Sequence, residues 1–308
     1  GVGRTLALAN AAHRLARQGL RVLVVDFDVE APGLTILDDF SRGKRGRGVV
    51  DLLVEYQRDG SLPPLDPFVL SACGKEENVW FVPAGDVSGR YGDLLFEVDF
   101  RSLGAASGRG AFAQAFRDRL HALRPGGIEW PFDYILIDSR TGITDIAEVC
   151  AVEIPDTLDV VSGLNEQSIW GTGRFLAAVR AAAAPSARPK LVIVVSPVVE
   201  GDPEVMEKRV QALNKAVIQG WGSLPAKPAS RWLWFIGPKT EGTIHLAHNA
   251  SLEVREQVAF GPGEASALAR GYDAHTARLR AAERRPGLRI ERSDFHRVSR
   301  FTTAGVAP

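Results

Sequence analysis

The chain has 308 residues, 37 basic and 37 acidic side chains, and a formal net charge of zero. That balance argues against a surface devoted to nucleic acid. No apolar run is long enough to span a bilayer and no signal-peptide pattern is visible, so the expectation is a soluble cytoplasmic protein with a large buried core.

The elements alternate along the chain. Leu6 to Gln18 carries an Ala/Leu face at helical spacing, and Gly19 follows as a helix-ending glycine. Arg21 to Asp26, RVLVVD, is an apolar strand pattern ending in a carboxylate, with Asp28 two residues on. Val79 to Val82, VWFV, reads as a strand that stops at Pro83. Gly110 to Leu123 reads as a helix with Phe112, Phe116 and Leu120 on one face. Asp133 to Asp138, DYILID, is a second apolar strand ending in a carboxylate, followed by SRTG and Asp145. Then come a strand from Thr157 to Leu164, a helix from Gln167 to Ala184, a strand from Lys190 to Ser196 and a helix from Glu204 to Ile218. A strand from Arg231 to Ile236 and a helix from Ala265 to Arg280 close the series. Strand and helix in alternation predict a mainly parallel sheet covered by helices on both faces, a three-layer α/β fold. No internal repeat is apparent, and no Pro/Gly-rich stretch divides the chain. The expected organisation is one domain over 1–285 and a basic, flexible tail over 286–308.

The candidate chemistry gathers in three places. The chain opens with GVGRT, Gly1 to Thr5, directly before a helical pattern. Glycines let a backbone turn tightly and aim N–H groups at phosphate oxygens. A cation then reaches the outer phosphates, a hydroxyl ligates Mg²⁺, and the helix N-terminus adds its positive end. Arg4 and Thr5 stand at those two positions. Asp26 with Asp28, and Asp138, form the second and third places. Carboxylates at the C-terminal ends of parallel strands lie where open α/β sheets bind ligands. An Asp at a strand end also serves as a cap or turn residue, and a short Gly-rich start is also an ordinary turn.

These motifs in this order resemble the ParA/MinD-type ATPases, P-loop proteins of the deviant Walker A group whose loop reads K-G-G-x-G-K-[ST]. The resemblance is specific from Gly1 to Leu34 and from Phe132 to Asp145, and architectural after Val195. It implies a P-loop NTPase fold and the cofactors ATP and Mg²⁺. It aligns Gly1 with the second glycine of the loop, so the strand feeding the loop and the signature lysine are expected upstream of Gly1. It implies nucleotide contacts from Gly1, Val2, Gly3, Arg4, Thr5 and Leu6, metal ligation by Thr5 with Asp138 supporting the metal's water shell, and activation of the attacking water by Asp28. Asp26 would support the site from behind, and Gly142 would let the segment after Asp138 rearrange. Two departures mark a variant branch. Arginine stands at position 4, where the family has lysine, and Arg140 and Thr141 stand where it often has prolines. Arginine keeps the charge but presents a planar fork.

Three functions remain open on these residues. The first is an ATP-binding and hydrolysing switch that forms a homodimer on nucleotide and acts on a protein partner. The second is a nucleotide-holding signalling or scaffold module with little hydrolysis. The third is a metabolic synthetase or kinase on the same fold. The basic loop Ser41 to Gly48, with Arg42, Lys44, Arg45 and Arg47, and the arginine-rich segment Arg278 to Arg300 read either as solvated surface or as contacts for a partner, nucleic acid or membrane. Cys73 and Cys150 read as isolated thiols, and His245 and His248 as residues of a helical or loop face rather than metal ligands.

Overall fold

A computed structural model of the chain describes residues 3–37, 39–40, 46–71, 78–104, 111–125, 132–139, 149–198, 202–223, 243–247, 267–283 and 299–305. Among the described residues, eight strands form one sheet. They are β1 (Val22–Asp26), β2 (Leu70–Ser71), β3 (Val79–Val82), β4 (Tyr134–Asp138), β5 (Thr157–Ser162), β6 (Lys190–Val198), β7 (Thr243–Ala247) and β8 (Ser299–Gly305). Their spatial order is β2-β3-β1-β4-β8-β5-β6-β7, and every pairing is parallel except that of β2 with β3.

The strands that carry the site are buried on both faces, which is why their sequences read as continuous apolar runs rather than alternating ones. Successive side chains point to opposite sides. Leu23, Val25, Ile135 and Ile137 pack with Leu52 and Leu53 of α3 (Val49–Asp59) and with Phe112, Phe116 and Leu120 of α6 (Ala111–Ala122). Val22, Val24, Tyr134 and Leu136 pack the other way, against Leu8, Ala12 and Leu15 of α1 (Arg4–Arg17) and against Leu268, Tyr272 and Leu279 of α9 (Ala267–Glu283). A third cluster joins Leu158, Val160, Ile193 and Val195 to Phe175, Leu176 and Val179 of α7 (Glu166–Ala182) and to Leu213 and Val217 of α8 (Pro203–Trp221). The result is the expected three-layer α/β fold.

Smaller helices are α2 (Gly33–Ile36), α4 (Tyr91–Glu97) and α5 (Phe100–Gly104). None of these, nor α3, was expected from sequence. The α3 segment, VVDLLVEYQRD, begins with five apolar residues in six positions, which suits a strand as well as a helix. The carboxylate of Asp51 settles its start by accepting from the Gly48 N–H at 2.8 Å.

Ser299–Gly305 departs from the expectation of a flexible tail. These residues run parallel between β4 and β5, with Tyr134 opposite Ser299 and Thr157 opposite Phe301. The arginines upstream drew attention away from a short segment, RFTTAG, whose phenylalanine and two threonines favour a strand. His245 is a second departure, since it lies within β7 rather than on a helix or loop. The strand expected at Arg231 to Ile236 lies outside the described residues, as do His248, Cys73 and Asp145. Cys150 is a buried free thiol. Among the described residues, no helix is long and apolar enough to cross a membrane.

Candidate functional site

The site lies where the C-terminal ends of β1 and β4 meet the first turn of α1. Asp26 and Asp138 are opposite one another in the β1–β4 register, so parallel pairing alone brings the two strand-ending carboxylates side by side. The strands stay joined beyond that point, since Phe27 N–H donates to the Asp138 carbonyl at 2.8 Å. Gly3 precedes α1 in the left-handed region, φ 73°, where glycine is free of the penalty a side chain brings. Its carbonyl accepts from Ala7 N–H at 2.9 Å and starts the helix.

Thr5 and Arg4 project from that first turn toward the strand ends. The Thr5 hydroxyl donates to Asp138 Oδ2 at 2.7 Å. Arg4 Nη1 donates to the Ser139 carbonyl at 2.5 Å, and its Nη2 stands 3.7 Å from Asp28 Oδ2, with both side chains largely buried. One guanidinium thus bridges the two loops that leave β1 and β4. The planar fork of arginine makes this possible, because it offers donors in two directions at once.

Asp26 is held from the other side. Thr35 donates both its N–H, at 2.8 Å, and its hydroxyl, at 2.7 Å, to Asp26 Oδ2. The same hydroxyl accepts from Ala84 N–H at 2.9 Å, beyond the end of β3. The segment between Asp28 and Thr35 therefore folds back over the site. At Gly33 an added Cβ would lie 3.0 Å from Thr5 Cγ2, which puts this segment directly on the threonine.

Asp26 and Asp138, buried beside one another and near Asp28, resist full ionisation. Burial raises Asp26 well above the ordinary carboxylate range, and the neighbouring Asp138 raises it further, against the lowering hydrogen bonds from Thr35. Burial likewise pushes Asp138 up to about 6, with Arg4 and the Thr5 hydroxyl opposing and Asp28 adding to the rise. Asp26 Oδ1 and Asp138 Oδ1 are buried without a hydrogen-bond partner among the described residues.

Arg4, Thr5, Asp26, Asp28 and Asp138 are thus brought together, as the sequence led one to expect. Gly3 and Leu6 flank them at the start of α1, with the Leu6 carbonyl accepting from Asn10. Gly1, Val2 and Gly142, with Arg140 and Thr141, lie outside the described residues. Sequence reasoning missed Ser139, Thr35 and Tyr91. A hydroxyl residue soon after the Asp28 loop could have flagged Thr35. Ser139 takes part through its backbone, which no residue type reveals. Tyr91 reaches the site from 62 positions beyond its partner Val29, and nothing local marks it.

The fold matches solved structures. These include the MinC:MinD cell division protein complex of Aquifex aeolicus, at TM-score 0.57 and 19% identity over 94% of this chain and 96% of that one. They also include a ParA family ATPase from Chlorobium tepidum TLS, at TM-score 0.55 and 15% identity over 90% and 93%. A third is pNOB8 ParA bound to nonspecific DNA, at TM-score 0.56 and 16% identity over 92% and 95%. No protein-family model and no curated protein matches the chain. At these identities the likeness is one of fold, and the chain has the fold of the ParA/MinD-type P-loop ATPases.

Proposed function

We propose that this chain is an ATP-dependent molecular switch of the ParA/MinD kind, which binds Mg–ATP at the ends of β1 and β4, dimerises on nucleotide and acts on a protein partner. One observation carries the reading. The Thr5 hydroxyl and the Asp138 carboxylate are hydrogen-bonded, at the start of a helix whose Arg4 spans both strand-exit loops.

The residues fit a magnesium ion. Mg²⁺ takes hard oxygen ligands, keeps several waters, and is commonly held by one or two protein groups plus phosphates rather than by a dedicated cage. Such an ion gives a use to the unpartnered Asp138 Oδ1. Thr5 and Asp138 would hold the ion, directly or through its waters. When bound, it neutralises charge on phosphate oxygens. The helix N-terminus and Arg4 add positive charge for the same oxygens. Asp28, two residues beyond the end of β1, would orient a water. Such a site works by position and charge, and losing the outer phosphate would release the Asp28–Thr35 segment.

A second reading is favoured by Arg4 itself. Its guanidinium is already engaged by Asp28 and the Ser139 carbonyl, so binding phosphate would exchange those contacts. A module that holds nucleotide and hydrolyses little would result if Asp28 remained paired with Arg4. The relatives by fold include one in complex with MinC and one on nonspecific DNA. For this chain a protein partner is favoured, because zero net charge gives nucleic acid or a membrane no broad attraction. Calorimetric titration with Mg–ATP, phosphate release under single turnover and sedimentation with and without nucleotide test the proposal. Tight binding with dimerisation and turnover supports the first reading, and binding without turnover supports the second. No binding overturns both.

A further inference from the structure

We propose that Tyr91 is a positioning residue that holds the Asp28 loop in place from a peripheral helix. Its hydroxyl donates to the Val29 carbonyl at 2.6 Å, one residue after Asp28. The inference rests on the reading of Asp28 given above.

Three observations single this contact out. First, α4 is a surface helix with no fully buried residue, and Phe96 on it is 92% exposed. Tyr91, Leu94 and Leu95 are partly buried against the core, and Tyr91 is the one whose hydroxyl bonds to the Asp28 loop. Second, the backbone next door makes room for the ring. Gly85 has φ 155°, and an added Cβ would lie 2.9 Å from Tyr91 Cε2 and 2.7 Å from Val50 Cγ1. Any side chain at position 85 would drive the ring away from Val29. Third, burial raises the Tyr91 hydroxyl far above its ordinary range, and Asp26, Asp28 and Asp51 add to the rise, which puts the phenol within electrostatic reach of the strand-ending carboxylates. The hydroxyl stays protonated and remains a donor.

The loop it holds is also fastened by the Arg4–Asp28 ion pair and by the buried side chain of Val29. Ala31 N–H donates to the Asp28 carbonyl at 3.1 Å, an internal turn that closes the loop on itself without tying it to a neighbour. Thr35 ties its far end to Asp26 and Ala84. Tyr91 ties its near end. With both fastened, the Asp28 carboxylate is carried on a short span and faces Arg4. Without the phenol hydroxyl, the Val29 carbonyl loses this donor and the backbone beside Asp28 loses one of the contacts that fix it.

The test uses the full chain and Tyr91→Phe, which keeps the ring and removes only the donor. Amide hydrogen exchange is read at Val29 to Gly33, with the β1 amides as an internal reference. Faster exchange in the loop by about tenfold, with β1 unchanged, is expected. Equal exchange in variant and parent overturns the tether. ATP turnover and Mg–ATP affinity are then compared for Tyr91→Phe, Asp28→Ala and the double variant. Turnover of Tyr91→Phe should fall several-fold at nearly unchanged affinity, and Tyr91→Phe should add little to the loss already present in Asp28→Ala. Equal fold losses in both backgrounds would show Tyr91 acting on stability rather than through Asp28, and would overturn the positioning role. Parental turnover in Asp28→Ala would instead overturn the reading of Asp28, whatever the exchange data show.

Discussion

The Thr5 hydroxyl donates to Asp138 Oδ2 across 2.7 Å and 133 positions of sequence, joining the first turn of α1 to the end of β4. Helix and strand meet there because β1 and β4 pair in register and α1 lies over both. Removing the Asp138 carboxylate should therefore impair Mg-dependent nucleotide binding and turnover together. Removing Asp28 should leave affinity largely intact and lower turnover by roughly 10²–10⁴-fold, the range of a positioned acid–base group. Paired titration and turnover measurements on Asp138→Ala and Asp28→Ala check both. Parental turnover without Asp28 would mean that it only shapes the loop.

Arg4→Ala should weaken Mg–ATP binding by about 1.5–3 kcal/mol, the worth of a hydrogen bond to a charged group. Arg4→Lys should bind nearly as well as the parent. It should also free Asp28, since one compact ammonium cannot span the Ser139 carbonyl and the Asp28 carboxylate as the fork does. Turnover is then expected to rise in the lysine variant. Calorimetry on the two variants decides, and unchanged affinity in Arg4→Ala would place the side chain outside the phosphate site.

How much of this was legible in sequence depends on where each interaction is encoded. Strands β1 and β4 were clear, because burial on both faces forces an unbroken apolar run that ends abruptly at Asp26 and Asp138. Helices α1 and α6 were clear from their spacing, and their boundaries agree to within about two residues. Arg4, Thr5 and the three carboxylates were singled out by residue type and order, and the structure brings them together. Tyr91 and Ser139 were not, since one acts from a distant helix and the other through its backbone. Strand β8 was missed for a related reason. Its place between β4 and β5 is set by the sheet, while its surroundings in sequence look like a charged tail.

Arg47 belongs to the segment Ser41 to Gly48, read from sequence as solvated surface or a partner contact, and it also packs on the protein itself. Its guanidinium lies 4.6 Å from the centroid of the buried Phe68 ring and hydrogen-bonds to Glu55 of α3. Residues 41–45 lie outside the described residues. Arg47→Glu should thus cost about 1 kcal/mol, from the lost cation–π contact and a new repulsion with Glu55. Arg47→Lys should cost less. Thermal melts of the two variants test this, and an unchanged melting temperature in Arg47→Glu would return the residue to the solvated surface.

Asp159 and His275 form a second buried pair, remote in sequence from the candidate site. The Asp159 carboxylate in β5 meets His275 Nε2 in α9, and both side chains are almost fully buried. Asp159 Oδ1 and His275 Nδ1 have no partner among the described residues. Breaking a buried hydrogen-bonded pair on one side strands the other polar group without its partner, at a cost of about 3–5 kcal/mol where the groups are charged and about 1–3 where they are neutral. His275→Ala should destabilise by an amount between those limits. Changing both to leucine should cost much less than the sum. Chemical denaturation of the single and double variants checks the coupling, and additive losses would show that the two groups act independently.

The acidic centre predicts how stability changes with pH in the nucleotide-free protein. Asp138 has its folded pKa at about 6, above the ordinary 3.8, chiefly because burial penalises its charge. Between those values the folded state holds a proton that the unfolded state releases, so folding takes up a proton there. The stability linked to this group is present in full below about pH 4 and is lost as pH rises through 6. Asp26, raised in the same direction by burial and by Asp138, acts with the same sign. Asn at position 138 carries no charge and is blind to this change. Asp138→Asn should therefore leave the ligand-free melting temperature nearly unchanged near pH 3.5 and raise it at pH 7 and above, by the equivalent of about 2–3 kcal/mol, with roughly half of that rise already present at pH 5. Melts of parent and variant across that window give the difference directly. A difference that is flat with pH, or one that grows toward acid, would mean that Asp138 is ionised in the folded protein throughout and that Arg4 and Thr5 outweigh its burial.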